Sequence, residues 1–304
     1  MNNSRRNFLQ KAGAVGAGAL ILPAWACSTQ SGQSSTADTA ANAEVIKGSL
    51  DKFGIQLYTL RDDMPKDPKG VLKKIADYGY TQIESYEGKQ GMFWDMAPKE
   101  FKAYLDDLGL DMVASHCNIN EDFETKAAQA AETGMRYLIC PYLGAQKSMD
   151  DWKKIVDKFN ECGDICAKNG IRFAYHNHAY SFEELEGQIP QEYLMDNVNP
   201  ETVDFEADLY WVVTAGVDPI PFLQKYKDRI RLCHVKDRMI NAKEGEGNAS
   251  CDLGTGSINY AEILKVAADN GMEYYIVEQE RYDGSTPLKS ADACAKYMTQ
   301  LQFA

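Results

Sequence analysis

Basic residues are scarce in this sequence. Lysine and arginine together number 32 against 45 aspartates and glutamates, which gives a formal net charge of −13. A chain this acidic repels polyanions, which argues against nucleic acid or an anionic membrane surface as its main partner. Long apolar runs are missing too. The apolar stretch near the N-terminus has about 11 residues, too few for a transmembrane helix, which needs about 20.

Two kinds of motif are also absent. The eight cysteines show none of the paired spacings of zinc-binding domains, and they suggest no disulfide framework. No glycine-rich dinucleotide-binding fingerprint follows the first apolar run, which argues against a Rossmann domain. What is present is the composition of an ordinary folded protein. Its 44% hydrophobic and 25% charged residues exclude disordered and collagen-like chains.

Residues 1–26 are typical of a signal peptide, because two arginines (Arg5 and Arg6) precede an apolar stretch rich in glycine and alanine. The motif SRRNFL resembles the twin-arginine export signal. Cleavage after residue 26 leaves Cys27 at the position where lipoproteins are lipidated. Residues 27–50 are mostly small and polar and are predicted to form a flexible linker. We therefore expect export to a Gram-negative envelope, as a periplasmic protein or as a lipoprotein whose only membrane contact is a lipid on Cys27.

Eight short apolar runs alternate with helical patterns in the remainder of the chain. The predicted strands cover residues 53–58, 81–86, 110–117, 136–142, 171–178, 202–208, 230–237 and 273–280. The predicted helices cover 68–78, 98–108, 123–133, 149–169, 188–196, shorter pieces up to about 227, 259–270 and 288–301. Eight such units over about 250 residues predict an α/β fold, a (β/α)8 TIM barrel that forms a single domain over 51–304.

Polar residues that end the apolar runs are the candidates for function, because side chains at the carboxyl ends of barrel strands form the active sites of such folds. They are Glu84, His116, His176, His178, Glu206, Asp208, His234, Lys236, Glu278 and Glu280, and they include all four histidines of the chain. Converging carboxylates repel one another unless a cation neutralises them. The pattern therefore predicts one divalent metal ion. Mixed nitrogen and oxygen ligands suit Mn, Co, Zn or Fe better than Ca, and Mg is a further candidate.

Five segments carry a resemblance to a known family. YHNHAYSFE (175–183), EADLYWVVTAGVDP (206–219), HVKD (234–237), LGTGSINYAEIL (253–264) and YIVEQE (275–280) resemble the xylose-isomerase-like sugar phosphate isomerase/epimerase family of TIM barrels. The resemblance implies four metal ligands after strands five to eight, which are His176, Asp208, His234 and Glu278. His176 departs from the family's glutamate, and Trp211 stands where the family has a histidine.

The resemblance also implies that the protein removes a proton next to a carbonyl group. The catalytic residues would be Glu278 as the base, Lys236 as a charge beside the developing oxyanion, and His116 as a further acid or base. Candidates for substrate contacts are Glu84, His178, Trp211, Glu183 and Arg238. Arg238, with Lys236 and the turn at residues 254–256, is also a candidate for holding an anion.

Three hypotheses about function follow. The first is a metal-dependent isomerase or epimerase acting on an unphosphorylated keto-sugar or sugar derivative, since phosphorylated sugars are scarce outside the cytoplasm. The alternative is a 3-keto-glycoside lyase or hydratase that uses the same enediolate chemistry. The third is a tethered sugar-binding protein without catalysis. Cleavage of abasic DNA by a related barrel is disfavoured by the negative charge. A small-molecule sugar is the expected partner, and a homo-oligomer is left open.

Overall fold

The structure is a computed structural model that describes residues 50–303. The predicted signal peptide (1–26), Cys27 and all but the last residue of the predicted linker lie outside the described residues. Among residues 50–303, every helix is too short or too polar to cross a membrane. In the same range the seven cysteines are all free thiols.

Eight parallel strands close into a barrel in the order β1-β10-β7-β6-β5-β4-β3-β2. They are β1 (Gly54–Gln56), β2 (Gln82–Tyr86), β3 (Asp111–His116), β4 (Tyr137–Cys140), β5 (Arg172–His176), β6 (Val203–Asp208), β7 (Ile230–Val235) and β10 (Tyr274–Val277). Two further strands, β8 (Asp237–Arg238) and β9 (Ser250–Cys251), form a small antiparallel pair. The predicted (β/α)8 barrel is confirmed, and each barrel strand lies inside the run predicted for it.

Helices follow the strands and surround the barrel. They are α1 (Pro68–Asp77), α2 (Pro98–Leu108), α3 (Phe123–Glu132), α4 (Met149–Lys168), α5 (Pro190–Asn197), α6 (Leu209–Thr214), α7 (Pro219–Lys225), α8 (Tyr260–Asp269) and α9 (Pro287–Gln300). Five of them, α1, α2, α5, α7 and α9, begin with proline, whose fixed φ suits the first helical turn. Their apolar faces pack against the outer faces of the strands and form the larger of two hydrophobic clusters.

The strands are shorter than the apolar runs that predicted them. After β1 the chain turns into a 3-10 helix (Leu57–Leu60), because the side chain of Gln56 accepts a hydrogen bond of 2.9 Å from the N–H of Tyr58. A second 3-10 helix (Ala179–Phe182) follows β5. Several polar candidates therefore lie just beyond the strand ends, at the openings of loops.

A smaller hydrophobic cluster is built almost entirely from barrel strands and determines where the polar residues sit. Its members Ala114, Ala174, Leu232 and Ile276 each precede a polar candidate (His116, His176, His234 and Glu278) by two residues. Since residues i and i+2 of a strand share a face, those four polar residues lie on the inner face, one layer nearer the carboxyl ends. The barrel is thus filled by apolar side chains at one level and by ionisable ones at the next.

Candidate functional site

Five buried side chains form what we call the inner group. These are Glu84, His116, His176, Glu206 and His234. Glu206 Oε2 lies 2.9 Å from His116 Nε2 and 3.1 Å from His176 Nδ1. Glu84 Oε1 lies 2.7 Å from His234 Nε2. Register shifts occur in the strand pairing immediately before Glu84 and before Glu206, and such irregularities re-aim side chains near active sites.

The two carboxylates of the inner group have pKa values shifted in opposite directions. Burial acts to raise the pKa of Glu84, but the charges of His116 and His234 outweigh burial and hold that pKa well below its usual range. Burial and the nearby charge of Glu84 raise the pKa of Glu206 to about 7. Burial acts to lower the pKa of His116, yet the two carboxylates raise it to about 9. Burial, reinforced by the neighbouring imidazoles, lowers the pKa of His176 well below its usual value.

A second set of side chains, the outer group, consists of Asp208, His234 and Glu278. His234 belongs to both groups, because its Nε2 faces Glu84 and its Nδ1 lies 3.3 Å from Glu278 Oε2 and 3.9 Å from Asp208 Oδ2. The ammonium group of Lys236 lies beside the outer group. Its Nζ is 2.8 Å from Glu278 Oε2 and 3.2 Å from Asp208 Oδ2, and it donates a further hydrogen bond of 3.0 Å to Glu280 Oε1.

Lys236 favours the ionised form of Glu278 in the outer group. Burial acts to lower its pKa, but the charges of Asp208, Glu278 and Glu280 outweigh burial and raise it well above its usual value. For Glu278 burial acts in the opposite sense, and the charges of Lys236 and His234 hold its pKa well below the usual range. The pKa of Asp208 is raised by burial, in spite of Lys236. The carboxylate of Glu278 thus lies within hydrogen-bonding distance of both the Lys236 ammonium and the His234 imidazole.

The donor atoms fit a divalent cation. In the outer group, and among His116, His176, Glu206 and His234 of the inner group, the imidazole nitrogens and carboxylate oxygens lie within 4.8 Å of one another. Among the residues that the structure describes, Asp208 Oδ2 and Glu206 Oε1 are buried and accept no hydrogen bond. The four ligands predicted from the sequence lie together, with His176 Nε2 at 3.8 Å from Asp208 Oδ2. The inner group adds His116, a donor that the sequence did not single out as a metal ligand.

A cavity of about 570 Å³ opens above both groups. His116, His176 and Glu278 reach its lining, as do His178 and Trp211, the two predicted substrate contacts that the structure brings to it. His178 packs against Trp211 with ring centroids 5.2 Å apart. Burial, helped by the charge of Lys236, lowers the pKa of His178 to about 3. A neutral imidazole and an indole therefore form one wall of the cavity.

The structure places three of the predicted substrate contacts, Glu84, Glu183 and Arg238, outside the cavity lining. Glu84 is fully buried in the inner group, where Gln56 donates a hydrogen bond of 2.6 Å to it, so it does not line the cavity. Glu183 follows the second 3-10 helix and is exposed, away from the cavity lining. Arg238 is buried and its guanidinium group bonds to Thr214 Oγ1 and to two backbone carbonyls of the loop between β8 and β9.

The turn at residues 254–256 holds a side chain of the protein rather than a ligand. Asp237 accepts hydrogen bonds of 3.0 Å from the N–H groups of both Gly254 and Gly256, and a third of 3.1 Å from Ile258. Gly254 has a φ of 81°, and a Cβ on Gly256 would collide with the carboxylate of Asp237. The glycines therefore allow a backbone cradle for Asp237, whose carboxylate takes the N–H groups that the sequence analysis offered to an anion.

Sequence reasoning missed several residues of the cavity, among them Tyr58 and Tyr142. Each stands at the end of a predicted strand run, and was counted there as an apolar strand residue. The rule that identified the polar candidates would also have found them, because it depends on position at the end of a strand. Tyr86, which ends β2, lines the cavity for the same reason.

A family model described as "Xylose isomerase-like TIM barrel" matches residues 72–301. Among curated proteins, the chain is 24% identical over 194 residues to an inosose dehydratase of Geobacillus kaustophilus, covering 55% of this chain and 61% of that protein. It is 26% identical over 257 residues to an inosose dehydratase of Clostridium beijerinckii, covering 78% and 82%. The chain spans about half to three-fifths of the length of the first curated relatives that it matches.

Solved structures also resemble this chain. A sugar phosphate isomerase/epimerase of Parabacteroides distasonis superposes with a TM-score of 0.69 at 28% identity, covering 87% of this chain and 98% of that one. The IOLI protein with a bound zinc atom superposes with a TM-score of 0.69 at 17% identity, covering 82% and 97%. This second likeness concerns the fold alone.

Proposed function

This chain belongs to the xylose isomerase-like TIM barrel family, and we propose that it is an enzyme that removes a proton next to the carbonyl group of a keto-sugar. In the first hypothesis, the enzyme converts that keto-sugar into an isomer or epimer. One observation carries the proposal. At the floor of the cavity the Glu278 carboxylate lies 2.8 Å from the Lys236 ammonium and beside the imidazole of His234, so a base and positive charge stand together.

Enolisation needs a base for the C–H proton and positive charge near the carbonyl oxygen. Glu278 reaches the cavity and is the base in this proposal. The buried ammonium of Lys236 stabilises negative charge as it develops on the oxygen. His116 also reaches the cavity, and its hydrogen-bond partner Glu206 holds it in place to donate a proton to that oxygen or take one from a neighbouring hydroxyl.

His176, Asp208, His234 and Glu278 would hold one divalent ion, in agreement with the ligands implied by the resemblance. When bound, such an ion polarises the carbonyl group and stabilises charge on its oxygen. Nitrogen and carboxylate donors suit Mn, Co or Zn, and Mg is a further candidate. In this arrangement Glu84 accepts the proton of His234 Nε2, which leaves the lone pair of Nδ1 for the outer group.

Elimination is the second candidate, and a specific finding favours it. The first curated relatives are named inosose dehydratases, and a dehydratase expels water from its substrate. The first step is shared, because the same base takes the proton next to the carbonyl. A β-substituent then leaves with the electron pair, either as water or, from a 3-keto-glycoside, as the aglycone alcohol after it gains a proton.

Proton NMR in D2O distinguishes these outcomes. The full mature chain, loaded with metal, is incubated with a free ketohexose and, in parallel, with a 3-keto-glucoside. Deuterium entering next to the ketose carbonyl while an isomer appears supports isomerisation or epimerisation. Release of the aglycone from the 3-keto-glucoside supports elimination. Broadening of sugar signals with neither exchange nor release would overturn both and indicate a sugar-binding protein without catalysis.

We further propose that the protein is exported by the twin-arginine route and anchored through a lipid on Cys27, which agrees with an unphosphorylated substrate. Replacing Arg5 and Arg6 by lysine is then expected to leave the protein in the cytoplasm of a Gram-negative host. Cys27→Ala is expected to release it from the membrane into the soluble periplasm. Fractionation followed by immunoblotting measures both effects, and an unchanged distribution in either variant contradicts the corresponding step.

A further inference from the structure

Two exposed aromatic rings stand at the cavity. Among residues 50–303, three large hydrophobic side chains are strongly exposed: Tyr58 (41%), Tyr142 (63%) and Ile240 (71%). The two tyrosines line the cavity, whereas Ile240 lies on the loop between β8 and β9, outside the cavity lining. Leaving an apolar surface in water forgoes about 25 cal/mol for each Å². Exposed aromatic surface concentrated at one cavity therefore points to a ligand that covers it.

Tyr58 is exposed but held in place. The guanidinium carbon of Arg61 lies 4.7 Å from the centroid of its ring, and Arg61 Nη1 donates a hydrogen bond of 3.1 Å to the carbonyl oxygen of Tyr58. The ring of Tyr86 meets it edge-on with centroids 5.3 Å apart. A ring fixed in this way loses little conformational entropy when a ligand packs against it.

Tyr142 is held from the other side of the cavity, after β4. Its ring stands nearly perpendicular to those of His178 and Tyr180, with centroids 5.2 Å and 5.5 Å away. His178 in turn contacts Trp211, whose ring lies 5.4 Å from Lys236 Nζ. These contacts make a continuous wall of rings from the exposed Tyr142 down to the ammonium group beside Glu278.

From this arrangement we infer that Tyr58 and Tyr142 form an outer subsite for a second ring joined to the reacting sugar. The substrate class is a glycoside whose aglycone is an aromatic ring or a second pyranose, both of which present a flat, largely apolar face to tyrosine. The cavity of about 570 Å³ falls in the range of sites for ligands larger than one sugar ring. The inference rests on the proposed function, because it takes the reacting sugar to lie at Glu278.

Binding measurements test the outer subsite independently of the catalytic reaction. Dissociation constants are measured by ligand-observed NMR for the 3-keto forms of methyl glucoside, phenyl glucoside and cellobiose, with the initial time points taken before turnover. The phenyl and cellobiose probes are expected to bind more tightly than the methyl probe. Tyr58→Ala and Tyr142→Ala are each expected to raise the dissociation constants of the phenyl and cellobiose probes by about three- to tenfold. The dissociation constant of the methyl probe should hardly change.

Two variants serve as controls. Tyr142→Phe keeps the ring and should retain the tighter binding, while Ile240→Ala removes an equally exposed apolar side chain outside the cavity and should change nothing. Tighter binding than the methyl probe by the phenyl probe but not by the cellobiose probe identifies an aromatic aglycone. Tighter binding by the cellobiose probe alone identifies a second sugar. Equal affinities for all three probes, or tyrosine variants without effect, overturn the inference even if turnover occurs. Ring-dependent binding without turnover of these probes or of the free ketohexose would overturn the proposed function and leave the subsite standing.

Discussion

Asp208→Asn is expected to lower the affinity for the divalent ion by at least about 100-fold, because it removes the charge of a buried ligand. Asp208 is the N-cap of α6, and Asn keeps an oxygen that can accept the 3.0 Å hydrogen bond from the N–H of Trp211, so the local fold should survive. His234→Ala is expected to have the same effect. Metal content after dialysis against a metal buffer, measured by elemental analysis, tests both variants.

A matched control comes from the same strand. Asp204 is also a buried, inward-facing carboxylate of β6, but it pairs with Arg172 and Tyr137 at the opposite end of the barrel. Asp204→Asn should lower stability and leave the metal content unchanged. One bound ion per chain in both the Asp208 and His234 variants would contradict the ligand assignment.

The two overlapping groups make a further variant informative. His116 belongs to the inner group alone, whereas Asp208 belongs to the outer group alone and His234 to both. If the ion occupies the position implied by the resemblance, His116→Gln retains it. Loss of metal in the His116 variant, with retention in the Asp208 variant, would instead place the ion in the inner group.

Sequence periodicity was sufficient to predict the barrel. Each strand run is short and apolar, each helix carries an apolar face, and eight repeats leave few ways to bury those faces other than a closed parallel sheet. The strand ends then indicated most of the ionisable side chains at the site, because position along a strand determines height in the barrel. His116, His176 and His234 are inward-facing for this reason, each two residues beyond an apolar residue of the inner cluster.

Contacts between strands could not be read from the sequence. The register shift before Glu84 places this carboxylate beneath His234 rather than in the cavity, and nothing in the run TQIESY indicates such a shift. The hydrogen bonds of Arg238 could not be predicted, because its partners are backbone carbonyls of a loop whose path is not encoded in a local pattern. Tyr58 and Tyr142 were overlooked because residue type alone does not tell a buried aromatic from one that lines a cavity.

Glu278→Gln is expected to lower kcat by about 10³-fold or more, because general-base catalysis alone contributes about 10²- to 10⁴-fold. The substitution is nearly isosteric, so the loss concerns charge, basicity and coordination of the proposed ion rather than packing. Lys236 still has Asp208 and Glu280 as partners, so its ammonium group is not left unpaired in the variant. Turnover of the 3-keto-glucoside and deuterium wash-in at the carbon next to the carbonyl are measured side by side.

Glu280→Gln is the matched control, since Glu280 also accepts a hydrogen bond from Lys236, at 3.0 Å, and also reaches the cavity. If Glu278 is the base, the Glu280 variant retains most of its wash-in while the Glu278 variant loses it. If wash-in falls in the Glu280 variant alone, the base is Glu280 and Lys236 acts between the two carboxylates. Persistent wash-in in both would exclude this pair and leave His116 as the group to test. Each variant removes one carboxylate partner of the Lys236 ammonium group. Comparing the two variants therefore distinguishes the loss of the base from the loss of a charged partner of Lys236.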